Sequence, residues 1–349
     1  MARFKRAADI HGAVIGYGGS FDMGTWHFRL MRRAGIRPIA VVDSDPQRRA
    51  MAQEQHPGLE IYASASELLR RSSANLVAIL TPHHTHARLA LQCLKAGRHV
   101  VCEKPMAIRT AECDRMIAEA HRRRCMLSAF HNRHWDGCIL QAMKTVRRGD
   151  LGEIRRVHLH IGQHTPPRSW WRDSRSISGG ILYDWGVHFT EYALQIMDAK
   201  IVEVSGFRTE GHWAAQSPWK KDANEDEASV VARFAGGAWL ELTVSAIDAD
   251  PPADWCRITG TRGTYRFTET HWELVRPSGQ GQVVRRGTNP DPQWHRYYKN
   301  VADHLVKGTP LIITPQWGRR TIHILDLANR SAARGRALPA HDPHWKATT

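Results

Sequence analysis

Long hydrophobic runs are missing from this 349-residue sequence. No stretch approaches the roughly 18 apolar residues that a membrane-spanning helix requires. The basic first six residues are followed by only a brief apolar run, which turns at once into a glycine loop. We therefore expect neither a transmembrane helix nor a signal peptide, and we predict a cytoplasmic protein with no membrane partner.

Cysteine is scarce and shows no pairing pattern. The six cysteines include no CxxC pair, and several lie within apolar stretches, where a reduced thiol behaves as a small hydrophobic group. They are Cys93, Cys102, Cys113, Cys125, Cys138 and Cys256. This distribution favours a reducing compartment.

Basic residues outnumber acidic ones, giving a formal net charge of +15 and an isoelectric point of about 10.0. Such a charge serves nucleic-acid binding where the basic residues cluster. Here they form short scattered groups, such as the three arginines at 122–124, and no zinc-finger or RNA-binding motif accompanies them. We predict that the protein does not bind nucleic acid.

Histidine is abundant, with 21 residues, but its pattern does not indicate a metal site. His158 and His160 would share one face of a strand, with His164 nearby. A zinc site needs three or four converging ligands, and this spacing supplies only two of them. We expect no metal.

Length and composition indicate two folded domains. The chain exceeds the usual size of one hydrophobic core, and its 42% hydrophobic and 24% charged residues are typical of globular proteins. Between residues 12 and 130, short apolar runs alternate with helical patterns, as in a parallel sheet covered by helices. The runs cover residues 13–15, 38–42, 76–80, 99–102 and 126–130, and helices are predicted from His86 to Ala96 and after an N-cap at Thr110.

From about residue 132 the pattern changes to longer alternating strands. They include residues 156–162, 228–234 and 239–245, whereas 277–287 and 288–292 are predicted to be loops. We predict an α/β protein with domains at 1–131 and 132–349, the second built on a large, mostly antiparallel open sheet. A sheet with one uncovered face favours a homo-oligomer, either a dimer or a tetramer.

The first strand runs into a glycine-rich turn that contains Gly16, Gly18 and Gly19. Between a strand and a helix, such a turn lets backbone N–H groups and the helix dipole face a pyrophosphate. Gly16 and Gly18 fit the start of the G-x-G-x-x-G fingerprint, whereas Phe21 occupies the third glycine's position and Gly24 follows three residues late. An ordinary turn is the alternative interpretation.

Asp43 strengthens the dinucleotide interpretation. It lies 27 positions after Gly16, at the end of the second strand, where an acid can hold a ribose diol. Its negative charge would repel a 2′-phosphate, which favours NAD. Arg48 and Arg49 leave NADP as an alternative, because arginine can pair with that phosphate. Asp43 could also be a simple turn residue.

Two further strands end in polar residues, Thr81 to His86 and Glu103 to Pro105. In open α/β sheets, ligands bind outside the carboxyl ends of the strands. Lys104 is the sharpest candidate there, because a lysine can donate to a hydroxyl oxygen and stabilise the alkoxide character that develops as hydride leaves. A lysine in a loop is otherwise an ordinary surface residue.

In the second domain, Gly179 and Gly180 lead into a predicted helix that carries Asp184 and His188. With a spacing of four, the two side chains would share one helical face and could act on one substrate. Imidazole, with an ordinary pKa of about 6.5, is suited to take a hydroxyl proton. A helix-surface ion pair has the same spacing.

Three of these segments together resemble one known family. Thr81-Pro82 with His86, Glu103-Lys104-Pro105, and Gly179-Gly180 followed by Asp184 and His188 are similar to the glucose-fructose oxidoreductase/inositol dehydrogenase (Gfo/Idh/MocA) family. The likeness extends to Trp171-Arg172 and to Thr314-Pro315 with Gly318-Arg319. It implies a Rossmann NAD(P)-binding domain and a substrate-binding and oligomerisation domain. It also implies catalytic Lys104, Asp184 and His188, and a cis Lys104–Pro105 bond. The family's substrates are mostly sugars, polyols and their derivatives.

The resemblance implies an NAD(P)-dependent oxidoreductase that oxidises a secondary hydroxyl of a small carbohydrate substrate, namely a sugar, polyol or glycoside. His188 would act as general base, assisted by Lys104. The predicted cofactor-binding residues are Gly16, Gly18, Gly19, Ser20, Phe21, Asp43, Ser44, Thr81, Pro82, His83, His86, Glu103 and Lys104. Asn132, Arg133, Trp171 and Arg172 are the predicted substrate-binding residues. Two alternatives remain: a glycosidase or lyase that uses transient oxidation by tightly bound NAD, and a non-catalytic NAD-binding or nucleic-acid-binding regulator.

Overall fold

The computed structural model describes residues 3–18 and 20–343, and the chain folds into two compact units. The first unit runs to Asn132 and includes His295–Arg319. The second comprises Arg133–Trp294 and the described residues from Arg320 onwards. The sequence-based division had placed His295–Arg319 with the second domain, whereas in the structure this segment belongs to the first unit.

Helices and strands are numbered along the chain. The strands are β1 (His11–Ile15), β2 (Arg37–Val42), β3 (Glu60–Tyr62), β4 (Leu76–Ile79), β5 (His99–Cys102), β6 (Leu127–Ala129), β7 (Ile154–Gly162), β8 (Ile201–Thr209), β9 (Glu227–Phe234), β10 (Trp239–Ser245), β11 (Cys256–Gly260), β12 (Gly263–Phe267), β13 (His271–Ser278), β14 (Gly281–Thr288) and β15 (Leu338–Pro339). The helices are α1 (Met23–Arg33), α2 (Pro46–Gln55), α3 (Ala65–Arg71), α4 (His86–Lys95), α5 (Thr110–Arg123), α6 (Gly137–Arg147), α7 (Arg175–Ser178), α8 (Gly186–Ile196), α9 (Arg296–Lys307) and α10 (Pro315–Arg334).

The first unit is built on a six-stranded parallel sheet with the order β3-β2-β1-β4-β5-β6. All five predicted apolar runs form strands of this sheet, which confirms the α/β prediction. The chain leaves β1 towards β2 on one side and continues through β4 on the other. The loops after β1 and β4 therefore meet at the point where the strand order reverses, which is the ligand-binding position of such sheets.

Burial explains why these strands are recognisable. All residues of β4 and β5 are buried, as expected for parallel strands covered on both faces. Helix α4 ends at Lys95, one residue before the predicted Ala96, and Gly97 follows in the left-handed region at φ 75°. The N-cap prediction at Thr110 was wrong: Thr110 has entered the helix as its first residue, and the extended backbone of Arg109 (φ −139°) makes Arg109 the cap.

The second unit is built on a nine-stranded sheet with the order β14-β13-β12-β11-β7-β10-β9-β8-β15. Only β7 and β10 pair in parallel; the other pairs are antiparallel, which confirms the predicted mostly antiparallel sheet. Helix α8 packs on β7 and β10, and α6 packs on α8 and β12. The buried side chains of β7, Val157 and Leu159, alternate with the less buried Arg156, His158 and His160.

The loop predicted at residues 277–287 was wrong. Most of it belongs to the hairpin of β13 and β14, in which Ser278 pairs with Gly281 across a two-residue turn. The proline and glycines concealed the hairpin, and the residues of β14 are nearly all exposed, so its sequence lacks the alternation that marks a half-buried strand. Of the loop predicted at residues 288–292, Thr288 belongs to β14, and only residues 289–292 lie outside helices and strands.

No helix within residues 3–18 and 20–343 is long and apolar enough to cross a bilayer.

A buried ion pair fastens the last described segment to α10. Asp342 Oδ2 accepts from Arg320 Nε at 3.1 Å, and both side chains are almost fully buried. We expect Asp342→Ala to lower the free energy of unfolding by about 3–5 kcal/mol, the usual cost of breaking a buried ion pair by removing one partner. Urea denaturation followed by tryptophan fluorescence measures this. Asp303→Ala, which removes a partly exposed partner of Lys299 and Lys307, should cost less than about 1 kcal/mol. Equal costs would contradict the prediction.

Candidate active site

The glycine loop joins β1 to α1 in the first unit. Gly16 and Gly18 both have positive φ angles, 90° and 76°, as the predicted tight turn requires. Gly19 lies outside the described residues, and only the backbone of Ser20 is described. Phe21 and Asp22 also adopt left-handed conformations, and the Phe21 side chain is 73% exposed. The loop is therefore longer than the standard fingerprint, and α1 starts only at Met23.

Gly24 allows the close helix packing that the third glycine of the fingerprint usually allows. A Cβ atom on Gly24 would lie 2.4 Å from Cδ2 of Tyr17, so only glycine lets the first turn of α1 approach this ring. The Tyr17 hydroxyl donates to Gln55 at 2.5 Å and lies 3.0 Å from Thr25 Oγ1. The three extra residues thus lengthen the loop without removing the close helix packing.

Asp43 is tied to the glycine loop. Its Oδ2 accepts from the backbone N–H of Tyr17 at 2.7 Å, and its Oδ1 accepts from that of Asp45 at 2.9 Å. Each carboxylate oxygen keeps a further lone pair with which it can accept from a ribose hydroxyl. Arg49 Nη1 donates to the carbonyls of Asp43 and Ser44, and Arg48 Nη1 lies 3.9 Å from Asp43 Oδ2. This arrangement of a positive-φ glycine turn beside a fixed carboxylate fits a dinucleotide.

The segment after β4 is held by a buried histidine. His86 Nε2 lies 2.7 Å from the carbonyl oxygen of Thr81, and its Nδ1 lies 2.8 Å from that of Pro105. His83, in the 3₁₀ turn His83–Thr85, is also buried. Both histidines were predicted to bind the cofactor. In the structure, His86 joins the loop after β4 to the loop after β5.

The loop after β5 contains the predicted cis Lys104–Pro105 bond, which the structure confirms. Glu103 supports it: Oε2 accepts from the backbone N–H of Lys104 at 2.9 Å, and Oε1 lies 3.0 Å from His27 Nε2. Burial alone would raise the pKa of Glu103, but the hydrogen bond from His27 and the charge of Lys104 hold it below its ordinary value. An ionised Glu103 therefore fixes the backbone of Lys104.

In the second unit, the helix that carries His188 begins later than predicted, so Asp184 lies before it and not within it. Residues Ile181–Tyr183 form a 3₁₀ turn, Asp184 follows it, and α8 begins only at Gly186. The cause lies at Gly180, whose φ is 119° and where a Cβ would lie 2.8 Å from Glu225 Oε2. The same Glu225 oxygen accepts from the N–H of Ile181. His188 lies in the first turn of α8 and is 5% exposed.

The structure brings the predicted Arg172 to Asp184. Arg172 Nη1 donates to Asp184 Oδ1 at 2.7 Å. The guanidinium lies 4.7 Å from the ring centroid of Trp171 and 5.0 Å from that of Trp170, within cation–π range. Asp184, Arg172 and Trp171 thus form one cluster.

Arg133 and His188 both lie near the ring of Trp185, a residue that the sequence analysis did not select. The Arg133 guanidinium is 4.7 Å from the ring centroid of Trp185, whose ring is 5.9 Å from that of His188. Arg133 Nη1 also donates to Asp136 at 2.8 Å, which holds it in place. Its aromatic side chain, directly after Asp184 in the sequence, was the signal that could have identified Trp185. Asn132, the other predicted substrate residue, is the last residue of the first unit's long segment.

No group of three or more histidine, cysteine or acidic side chains in the described part of the chain is arranged to hold a metal ion. His160 Nε2 instead lies 2.8 Å from Asp248 Oδ2.

Both units match known family models. Residues 10–131 match the oxidoreductase family with an NAD-binding Rossmann fold, and residues 139–266 match the GFO/IDH/MocA C-terminal domain. The chain belongs to the Gfo/Idh/MocA family. It is therefore an NAD(P)-dependent oxidoreductase with an NAD-binding Rossmann domain, as predicted.

This Gfo/Idh/MocA member is similar to several dehydrogenases. The scyllo-inositol 2-dehydrogenase (NADP(+)) of Bacillus subtilis (strain 168) is 24% identical, over 97% of this chain and 98% of the relative. The myo-inositol 2-dehydrogenase of Thermotoga maritima is 28% identical, over 64% of this chain and 65% of the relative. Among solved structures, levoglucosan dehydrogenase in complex with NADH has the same fold, with a TM-score of 0.81 and 19% identity over 95% of this chain and 99% of that one.

Proposed function

We propose that the protein oxidises a secondary hydroxyl of a sugar, polyol or glycoside, with NAD as the hydride acceptor. The observation that carries this proposal is the placement of Lys104. Lys104 follows β5 of the parallel sheet. The adjacent strand β4 leads into Thr81, and β1, next to β4, leads into the glycine loop. A lysine whose backbone is held by Glu103 at the carboxyl edge of a dinucleotide-binding sheet suits the stabilisation of a developing alkoxide.

The remaining roles follow from residue chemistry. We assign His188 the role of general base that takes the hydroxyl proton, and Lys104 that of donor to the same oxygen. Bound NAD supplies the nicotinamide carbon that accepts the hydride. Asp184, fixed by Arg172, offers a carboxylate oxygen to substrate hydroxyls, and Trp171 offers an aromatic face to a sugar ring. Asn132 and Arg133 complete the proposed recognition of hydroxyls.

Several relatives support a polyol substrate. Two of them are named for the oxidation of inositols, and one solved structure of the same fold is a levoglucosan dehydrogenase. All three substrates carry secondary hydroxyls on six-membered rings. We extend this substrate class to the present chain as part of the proposal.

A substrate panel tests the proposal. NADH formation is followed at the nicotinamide absorbance with myo-inositol, scyllo-inositol, levoglucosan, free hexoses and simple glycosides, each with NAD and with NADP. Turnover of at least one ring polyol is the expected result. If none of these compounds is oxidised and a glycoside is cleaved without net NADH, the protein is instead a glycosidase or lyase that uses transient oxidation by tightly bound NAD.

Cofactor choice gives a separate prediction. We propose a preference for NAD, because the carboxylate of Asp43 would repel a 2′-phosphate. Asp43→Asn should raise the ratio of kcat/KM for NADP to that for NAD by roughly ten- to a hundred-fold, through the loss of this charge. Fluorescence titration with NADH and NADPH measures the same preference without any substrate. Asp45→Asn, the same change two residues away on a carboxylate that caps α2, serves as the control. An unchanged ratio in Asp43→Asn would rule the assignment out.

We further propose a cytoplasmic homo-oligomer, a dimer or a tetramer, in which the first unit of each subunit binds the cofactor and the second unit binds the substrate. Helices α6 and α8 lie on one side of the nine-stranded sheet, while Phe207 of β8 is 62% exposed. A second subunit would cover the face of the sheet that these helices leave open. Light scattering coupled to size-exclusion chromatography gives the molecular mass; a strictly monomeric protein would disprove it.

A further inference from the structure

A chain of buried polar groups leads through the first unit to the backbone of Lys104. The Tyr298 hydroxyl lies 2.7 Å from His27 Nδ1, and His27 Nε2 lies 3.0 Å from Glu103 Oε1. The other Glu103 oxygen accepts from the N–H of Lys104 at 2.9 Å. His27 lies on α1 and Tyr298 on α9, and both are fully buried.

The direction of these hydrogen bonds follows from the protonation states. Ionised Glu103 can only accept, so His27 must donate its Nε2–H to it. Burial, together with the nearby Tyr297 and Glu103, raises the pKa of Tyr298 well above its ordinary value, so its phenol stays protonated. A protonated phenol can serve His27 Nδ1 as donor or as acceptor, and in both cases the contact holds the imidazole with Nε2 directed at Glu103.

Packing keeps this chain in one geometry. The Phe130 ring lies 4.2 Å from that of His27 and 5.9 Å from that of Tyr298, measured between centroids. His27 therefore cannot swing away without displacing a buried aromatic side chain. The position of the Glu103 carboxylate is consequently set by α1 and α9, and not by its own loop alone.

We propose that His27 and Tyr298 are positioning residues for Lys104: they hold Glu103 so that its second oxygen fixes the Lys104 backbone, and thereby the aim of the ammonium group. The catalytic consequence rests on the proposed function, in which Lys104 donates to the substrate oxygen. The structural part does not depend on it. Fully satisfied buried networks of this kind restrict a site to one arrangement.

Four variants separate this role from general stability. Tyr298→Phe removes the hydroxyl that contacts His27 Nδ1. Tyr297→Phe is its matched control, because the neighbouring Tyr297 is equally buried on the same helix but donates to Ser128, also at 2.7 Å. His27→Asn has no donor at the Nε2 position, whereas the longer His27→Gln can place an N–H there and should rescue the contact to Glu103.

The first measurement is hydrogen–deuterium exchange of the Lys104 amide in the protein without cofactor or substrate, resolved to single residues by fragmentation mass spectrometry. We expect exchange to be about tenfold faster in Tyr298→Phe and His27→Asn, since each weakens one hydrogen bond of the chain, and to change little in Tyr297→Phe. His27→Gln restores only the contact to Glu103, so its exchange should lie between that of the unmodified protein and that of His27→Asn. An unchanged Lys104 amide in Tyr298→Phe, or an equal acceleration in Tyr297→Phe, overturns the proposal. If His27→Asn does not fold, the comparison of Tyr298→Phe with Tyr297→Phe still decides whether Tyr298 helps to hold the Lys104 backbone.

The second measurement is the kinetics of the same variants with the ring polyol that the panel identifies. Displacement of Lys104 should lower kcat by about tenfold, with the KM for NAD unchanged, because the glycine loop and Asp43 are untouched. A fall in kcat equal to that of Tyr297→Phe would count against the positioning role. If no compound of the panel is oxidised, the proposed function fails, while the exchange experiment still decides whether His27 and Tyr298 hold the Lys104 loop.

Discussion

His188→Ala is expected to lower kcat for polyol oxidation by roughly 10²–10⁴, the usual contribution of a general base. His188 is buried in the first turn of α8, beside Trp185, so bulk water does not readily replace its imidazole. Because hydroxide can partly replace a missing base, the activity that remains should rise with pH over the range in which the unmodified enzyme levels off. Steady-state rates between neutral and alkaline pH measure both effects.

A second substitution on α8 controls for damage to the helix. Thr190 is fully buried and its Oγ1 donates to the Gly186 carbonyl at 2.7 Å. Thr190→Val removes this contact and should lower the melting temperature while leaving kcat within a few-fold of its original value. If both variants lose activity equally, or if His188→Ala keeps full turnover, His188 is not the base.

Lys104→Met should lower kcat/KM by roughly 10²–10³, comparable to the loss of one donor to a developing oxyanion. Methionine keeps the length of the side chain and removes only the ammonium group, so the cis turn and its contact to Glu103 stay in place. The measurement is kcat/KM for the polyol, together with NADH binding, which should change little. Lys95→Met, at an exposed position of α4 in the same unit, is the control and should be silent.

The two catalytic substitutions should not be additive. If Lys104 and His188 act on one hydroxyl group, the double variant loses less than the product of the two single effects, as in catalytic groups that work as a unit. Strict additivity would indicate that the two residues serve separate steps.

The first sheet could be predicted from the sequence because its central strands are buried on both faces. The four residues of β4 are all buried and form a continuous apolar run. Strand β3 gave no such signal: it has three residues, lies at the edge of the sheet, and only Tyr62 is buried. The exposed hairpin of β13 and β14 was missed for the same reason, since the pattern of a strand reflects burial and not hydrogen bonding.

Local spacing was a weaker guide to the candidate site. It selected Asp184 and His188 but placed them on one helix, because a spacing of four cannot reveal that Gly180 and Glu225 impose a 3₁₀ turn first. His27 could not be found at all. Its partner Tyr298 lies 271 positions away, and contacts of this range depend on the fold.

Because His295–Arg319 belongs to the first unit, the two units depend on late segments of the chain when they fold during synthesis. Phe130 packs against Tyr297 and Tyr298 of α9, so the core of the cofactor-binding unit lacks part of its aromatic filling until that helix leaves the ribosome. By then the whole of Arg133–Trp294 has already been made. The second unit is not complete at that point either, because β15, which pairs with β8 at the edge of its sheet, follows α9 in the sequence. Each unit therefore waits for a carboxyl-terminal segment, and the usual amino-to-carboxyl order of domain folding does not apply.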